Sequence, residues 1–211
     1  MKFARRIILL ISLMVILLSI TGVNQLSELA DFKFKAEVEK NFFNGLPGSN
    51  NQILVVKIDD SNPAHPQIGV EDADLVYVEQ VEGGITRLAA IYTSKLPPLI
   101  GPVRSARISD LEILSQFGRV GFAYSGAQSK MRPVIAAANL ENLSAERNPP
   151  SIYGKDPNRP GPVNMILKPD LLLDRANSNP KIRIDTATNS PFIFGEQPAA
   201  LTTTSSVKVK W

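Results

Sequence analysis

The chain has 211 residues, of which 44% are hydrophobic, enough for one domain with a core and an appended segment. Three of its 23 basic residues, Lys2, Arg5 and Arg6, precede the first acidic residue, so the remainder balances 20 basic against 20 acidic side chains. With no basic face or stripe, the composition argues against a nucleic-acid partner. The absence of cysteine excludes disulfides, zinc–thiolate sites, a cysteine nucleophile and a lipid-modified cysteine.

The N-terminal segment predicts export. Residues 7–23 are almost wholly apolar and follow the three basic residues, so residues 1–28 are interpreted as a signal anchor or signal peptide. The apolar run exceeds the ~7–15 residues of a cleaved signal core. We therefore expect a single-pass anchor that contacts the inner-membrane lipid bilayer through residues 7–23, with the rest of the chain outside the cytoplasmic membrane. Secretion after signal cleavage is the alternative.

Residues 29–50 are predicted to be a charged spacer, and residues 51–189 a domain with several strands. Apolar or alternating runs predict four strands, and Gly83-Gly84 predicts a hairpin between the second and the third. The predicted strands are Gln52–Ile58, Leu75–Val81, Leu88–Thr93 and Val120–Tyr124.

Helices are predicted between and after these strands. Ser109 and Glu112 have the spacing of a capping box, and Gly118 stands where a helix ends. Ser129–Leu140 and Pro169–Asn177 are further helix candidates, each with a proline near its start. The proline-rich stretch Asn142–Pro162 is interpreted as a loop. These elements predict an α/β fold with a mixed sheet and flanking helices.

A new pattern begins after Ser190. Phe192–Phe194 and Val207–Trp211 are interpreted as strands separated by a Thr/Ser turn. Because a strand without a downstream partner is a poor end for a domain, residues 190–211 are expected to begin a truncated, β-rich second domain.

The stretch Gly101–Arg107 is a candidate ligand-binding segment. Arg104, Ser105 and Arg107 stand just before the helix predicted from the capping box, and guanidinium groups bind phosphate or carboxylate through a fork of donors. The alternative is that these arginines pair with acidic residues of the strands and serve stability alone.

A second candidate combines Glu79, Glu82, Gly83, Gly84 and Arg87. The glycines allow a sharp turn or a close approach to a ligand, and the carboxylates can act as acid and base or hold a cation. A hairpin turn with surface charges explains the same pattern.

Asp59 is a third candidate, because it ends the first predicted strand. Its carboxylate makes a divalent cation possible, although no cofactor is expected; a turn residue is the simpler explanation.

Two motifs in order, Glu82-Gly83-Gly84-Ile85-Thr86-Arg87 and Ile100-Gly101-Pro102-Val103-Arg104-Ser105-Ala106-Arg107, resemble the YerB-like family of exported bacterial proteins. Many members are lipoproteins built on a domain of unknown function. The resemblance covers about residues 51–177 and implies a two-domain α/β protein of the cell envelope. It also implies an association with cell-wall synthesis proteins, without an established reaction.

The chain departs from the family pattern in two places. It lacks the cysteine that would carry a lipid, so a membrane helix or secretion must replace the lipid anchor. Val163 stands before Asn164 where the resemblance leads us to expect a histidine, which weakens an enzymatic interpretation.

Three functions remain open from the sequence. The first is an extracytoplasmic, non-catalytic module that binds an anionic envelope ligand or polymer, or a cell-wall synthesis partner, through Arg87, Arg104 and Arg107. The second is an enzyme that acts on a phosphate-bearing or glycan wall substrate, with Asp59, Glu79 or Glu82 as base or metal ligand. The third is purely structural, with the arginines locking loops to the sheet.

Overall fold

A computed structural model of the chain describes residues 38–195. The chain divides into two compact units after Val38, and the description that follows concerns the second. The predicted membrane segment, residues 7–23, and the predicted strand Val207–Trp211 lie outside the described residues. Between residues 38 and 195, no helix combines the length and the apolar character needed to cross a bilayer.

The described part contains a five-stranded sheet, a separate pair of short strands and three α-helices. In chain order the strands are β1 (Leu54–Asp59), β2 (Leu75–Gln80), β3 (Thr86–Tyr92), β4 (Val120–Ala123), β5 (Leu140–Asn142), β6 (Tyr153–Lys155) and β7 (Met165–Leu167). The helices are α1 (Ile108–Leu114), α2 (Arg132–Ala137) and α3 (Pro169–Asn177).

The sheet is mixed, as the sequence predicts, with strand order β2-β3-β1-β4-β5. β3 pairs antiparallel with both β1 and β2, whereas β4 lies parallel to β1 and to β5. β6 and β7 form their own antiparallel pair. The central strand β1 is buried along its whole length, as its β-branched run predicts.

Helices cover both faces of the sheet. Because successive side chains of a strand point to opposite faces, Leu54, Val56 and Ile58 pack toward α3 and β7, whereas Val55 packs toward α1 and α2. The result is a three-layer α/β unit with a core on each side of the sheet.

Several predicted elements differ from the structure. The predicted helix Ser129–Leu140 is a 3-10 turn at Ser129–Met131 followed by α2, and Leu140 begins β5. Neither β6 nor β7 was predicted; β6 lies inside the predicted loop Asn142–Pro162, and β7 follows that loop. Phe192–Phe194 forms no strand, and Ile193 is fully exposed.

The end of the predicted spacer packs against the domain. Phe43 is 3% exposed and joins the core on the α1 side. Asn41 is buried and donates a hydrogen bond from Nδ2 to Thr93 Oγ1 at 2.7 Å. Residues 39–50 therefore contribute to the folded unit.

Candidate functional site

The strand register places three of the predicted site residues in one row. Arg87 on β3 lies opposite Asp59 on β1 and opposite Glu79 on β2. Asp59 lies four residues after Val55 on β1, so its side chain points to the same face of the sheet, the one that α1 covers. Arg87 and Glu79 lie opposite Asp59 and Arg87, respectively, and point to that face as well. The row places one acidic residue on each side of Arg87, a neighbourhood that spacing along the chain does not reveal.

Arg87 is buried, with 5% of its surface exposed. Its Nη1 donates to the backbone carbonyl of Ser105 at 2.8 Å. Burial lowers the pKa of Arg87, and repulsion from Arg107 and Arg104 lowers it further. The three arginines of the two motifs therefore do come close together, but Arg87 itself is enclosed.

Arg104 faces Asp59. The side chain of Arg104 is 23% exposed, and its Nε contacts Oδ2 of Asp59, although the N–H does not point at the oxygen. Burial would raise the pKa of Asp59, but hydrogen bonds from Ser61 and the guanidiniums of Arg104 and Arg87 outweigh burial and hold that pKa below its ordinary value. Asp59 is thus an ionised partner of Arg104.

Arg107 borders an open cleft, and its side chain is 18% exposed, against 23% for that of Arg104. Its Nε donates to Oε2 of Glu82 at 2.8 Å, and Glu82 is largely exposed. The backbone N–H of Glu82 and then Arg107 lower the pKa of the Glu82 carboxyl. This pair lies at a cleft of about 300 Å³, here called the Arg107 cleft, which is lined by Glu82, Arg107, Ile108, Gln128, Lys130, Met131 and Val134.

The predicted glycines and serine have backbone roles. Gly83 and Gly84 adopt φ of +79° and +70°, a region that other residues rarely enter, and open space surrounds both. They are needed for the turn between β2 and β3. Ser105 accepts from Arg87 through its carbonyl, and its hydroxyl lies 3.3 Å from that of Ser125.

Glu79 is held in a cluster that was not predicted from the sequence. Lys57 Nζ lies 2.5 Å from Glu79 Oε1 and 2.7 Å from Asp110 Oδ1, and Lys57 and Asp110 are completely buried. Ser109 donates to Oε2 of Glu79 at 2.6 Å. We call Lys57, Glu79 and Asp110 the buried triad.

The buried triad holds two carboxyls and one ammonium, so one proton is shared. Burial raises the pKa of Asp110 to about 7, because the repulsion from Glu79 adds to it while Lys57 only partly offsets it. Burial also acts to raise the pKa of Glu79, but hydrogen bonds from Asp110, Lys57 and Ser109 outweigh burial and lower it. Glu79 and Asp110 therefore titrate as a pair, in which the pKa of Asp110 is raised and that of Glu79 is lowered.

The predicted capping box is wrong in its members. The helix begins at Ile108, and Oδ2 of Asp110 accepts the backbone N–H of Arg107 at 2.6 Å. Ser109, predicted as the cap, instead donates to Glu79. Asp110 therefore joins the start of α1 to the buried triad.

The possible cation ligands are occupied by cationic side chains. Asp59 contacts Arg104, Glu79 contacts Lys57, and Glu82 contacts Arg107. Within residues 38–195, acidic and histidine side chains form no group of three with the arrangement of metal ligands.

Lys57 was the one detectable signal of the buried triad. It interrupts the apolar run Gln52–Ile58, and a lysine in a strand that is buried on both faces requires a carboxylate partner. Asp110 gave no such signal, because an acidic residue in the first turn of a helix is ordinary.

Comparison with protein families supports the resemblance seen in the motifs. Residues 44–183 match the family described as "Protein of unknown function (DUF3048) N-terminal domain". A Bacillus subtilis protein named "Putative lipoprotein YerB" is 44% identical over 54 residues, which cover 26% of this chain and 16% of that protein.

Among solved structures, the crystal structure of the YerB protein from Bacillus subtilis matches with a TM-score of 0.65 at 24% identity. The match covers 75% of this chain and 55% of that one. The chain thus spans little more than half of the length of this relative, and the similarity shows a shared fold.

Proposed function

The chain belongs to the DUF3048 family of proteins of unknown function, and from that premise we propose that it is an extracytoplasmic, non-catalytic module of the cell envelope that binds an anionic ligand. The similarity to a Bacillus subtilis protein named as a putative lipoprotein supports an envelope location. The basic residues ahead of the apolar residues 7–23 support a single-pass anchor with the domain outside.

The Arg107 cleft is the observation that carries the proposal. Arg107 and Lys130 supply two cations at its edge, against the single carboxylate of Glu82. Glu82 is exposed and bound through one oxygen, so an incoming anion can displace it from Arg107 at little cost. Arg87 and Arg104 hold the segment that carries Arg107 in place: Arg87 donates to the carbonyl of Ser105, and Arg104 pairs with Asp59.

The properties of the carboxylates near the site favour a binding role over a catalytic one. A general acid or a general base works best when its carboxyl pKa is raised toward neutrality in a cleft that a substrate can enter. The pKa values of Asp59, Glu79 and Glu82 are all lowered, and each carboxylate faces a cation. Asp110, whose pKa is raised, is completely buried and out of reach of a substrate. The alternative, an enzyme acting on a phosphate-bearing or glycan wall substrate, draws no support from these groups.

The ligand can also be a segment of a partner protein, for which one observation speaks. Ile108 and Val134 line the same cleft and are 56% and 44% exposed, which is high for large apolar side chains. An acidic side chain next to an apolar one, as on a cell-wall synthesis protein, would satisfy both the cations and this apolar surface.

The test compares two opposite changes at one ion pair. In the full 211-residue chain, Arg107→Ala is expected to weaken binding of poly(glycerol phosphate) about fivefold, and Glu82→Gln is expected to strengthen it by freeing Arg107. The exposed pair Arg132–Glu146 provides matched controls, Arg132→Ala and Glu146→Gln, which should leave the affinity unchanged. Equal affinities for all four variants, in calorimetric titrations with this polymer, would refute the proposal.

A further inference from the structure

We propose that a second cleft, between β5 and α3, binds a phosphate-bearing anion. This β5–α3 cleft has a volume of about 590 Å³. It lies on the face of the sheet that α3 covers, whereas the Arg107 cleft lies on the face of α1 and α2. The two clefts share no lining residue.

Three cations from separate elements surround this cleft. Arg147 ends the turn after β5, Arg175 lies in the last turn of α3, and Lys181 follows that helix. All three are exposed. None forms an ion pair with any of residues 38–195, and none donates a side-chain hydrogen bond there. Their charge is therefore available to a ligand.

The single carboxylate of the lining does not neutralise them. Oε1 of Glu141 accepts from Nε of Arg119 at 2.8 Å and from the backbone N–H of Arg183 at 3.0 Å. The negative charge of Glu141 is thus compensated by Arg119, and not by Arg147, Arg175 or Lys181. A concave surface with several uncompensated positive charges concentrates anions from solution.

The rest of the lining suits an ester of phosphate. Oδ1 of Asn179 accepts the backbone N–H of Lys181, which leaves its NH₂ group without a partner among the described residues. Leu143, Leu172 and Ala176 form a buried apolar floor. Guanidiniums bind phosphate oxygens in pairs, and an apolar floor accommodates the organic part of the ligand.

The charge of the helix end does not explain the group. Arg175 near the C-terminus of α3 is favoured by the helix dipole, and that effect alone accounts for one cation. Arg147 comes from a different element, across the cleft from α3, and gains nothing from that dipole. A ligand that contacts both sides accounts for the two together.

Calorimetric titration of the full chain with inorganic pyrophosphate tests the proposal. We expect the parent chain to bind with a Kd of about 1 mM or tighter. Arg147→Ala combined with Arg175→Ala should weaken binding about tenfold, since each exposed charge pair contributes up to about fivefold. Arg175→Glu should weaken it at least as much by repulsion. Absence of binding by the parent chain, or equal binding by these variants, would overturn the proposal.

Control variants separate this cleft from the proposed function. Arg107→Ala combined with Lys130→Ala should leave in place the pyrophosphate affinity that Arg147→Ala combined with Arg175→Ala weakens, while it impairs binding of the polymer at the Arg107 cleft. Arg132→Ala, an exposed arginine outside both clefts, should affect neither. Loss of pyrophosphate binding in the Arg107 and Lys130 variant would assign the anion to that cleft and overturn the proposal.

Vesicles distinguish a lipid headgroup from a free phosphate ester. The chain is mixed with vesicles of phosphatidylcholine, with or without phosphatidylglycerol, and binding is followed by flotation with and without pyrophosphate. Binding to anionic vesicles that pyrophosphate displaces, and that Arg175→Glu abolishes, supports the cleft with a lipid source. Pyrophosphate binding without such displacement supports it with a soluble source. Binding to vesicles without any affinity for pyrophosphate would overturn the proposal. The cations would then attract an anionic membrane without binding a phosphate group in the cleft.

Discussion

Beneath α1, Lys57 Nζ of the buried triad lies 2.5 Å from Glu79 and 2.7 Å from Asp110, away from water. Between β5 and α3, by contrast, three cations are exposed and unpaired within the described residues. Burying an ion is costly unless a partner compensates it, so charges of the first kind are held in fixed pairs. Exposed charges cost little to leave unpaired and remain free to bind. The difference indicates that burial and ion pairing decide whether an arginine or lysine of this domain can bind a ligand. Membership of a sequence motif does not decide it.

The sharpest contrast is expected at Lys57. Lys57→Met leaves Glu79 and Asp110 buried without their cation, and should lower the free energy of unfolding by about 3–5 kcal/mol. Lys95→Met is the matched control, because Lys95 is exposed and forms a surface pair with Asp72; it should cost less than about 1 kcal/mol. Urea denaturation of both variants measures the difference, and equal losses would contradict the distinction between the two regions.

Asp59 should have an intermediate effect. Asp59→Asn removes the partner of Arg104, which can still reach water, so we expect a loss of about 1–3 kcal/mol. Because the pKa of Asp59 is lowered in the folded chain, its contribution is present above the unfolded pKa of about 3.9 and is lost as pH falls through the folded value.

Acid unfolding checks this assignment. The stability of the parent chain should fall more steeply below about pH 4 than that of Asp59→Asn. Glu146→Gln, at an exposed pair, should keep the parent slope. Parallel curves for the parent and Asp59→Asn would show that Asp59 is not held ionised.

Asp110 should give a pH dependence of stability whose sign is opposite to that of Asp59. Its pKa is raised to about 7 in the folded chain, so its contribution is complete below the unfolded pKa of about 3.9 and is lost as pH rises through 7. The slope for one proton is at most about 1.4 kcal/mol per pH unit. Asp110→Asn, which mimics the protonated carboxyl, should remove this decline when urea denaturation is repeated from pH 4 to pH 8. A decline that persists in the variant would place the shared proton elsewhere.

The smallest effect is expected in the β5–α3 cleft. Arg147→Ala combined with Arg175→Ala removes no ion pair and no side-chain hydrogen bond to the described residues, so the free energy of unfolding should change by less than about 0.5 kcal/mol. Thermal and urea denaturation should superimpose on the parent curves. A loss of several kcal/mol would mean that these cations stabilise the fold, as those of the buried triad do.

Much of the fold could be predicted because its main elements have strong local patterns. The β-branched run that became β1 and the proline that starts α3 identified those elements, and α3 has the predicted bounds, Pro169–Asn177. β5, β6 and β7 have three residues each, too few for a period of two to be recognised. They form because neighbouring segments supply their hydrogen-bond partners.

The site was less predictable, since its geometry depends on strand register. The motifs identified Arg87, Arg104 and Arg107, but their partners follow from the pairing of β1, β2 and β3. Arg147, Arg175 and Lys181 have no common motif at all, because the fold brings them together from three segments. Only Lys57, a charged residue within an apolar strand, could have predicted a buried ion pair from the sequence.

The most direct measurement follows the arginine Nε–H resonances by NMR while pyrophosphate is added to the full chain, with each signal assigned from a single arginine variant. The signals of Arg147 and Arg175 should shift with increasing pyrophosphate, and those of Arg87 and Arg104 should stay in place because these groups are held within the fold. Shifts confined to Arg87 and Arg104, with Arg147 and Arg175 unchanged, would contradict binding of the anion in the β5–α3 cleft.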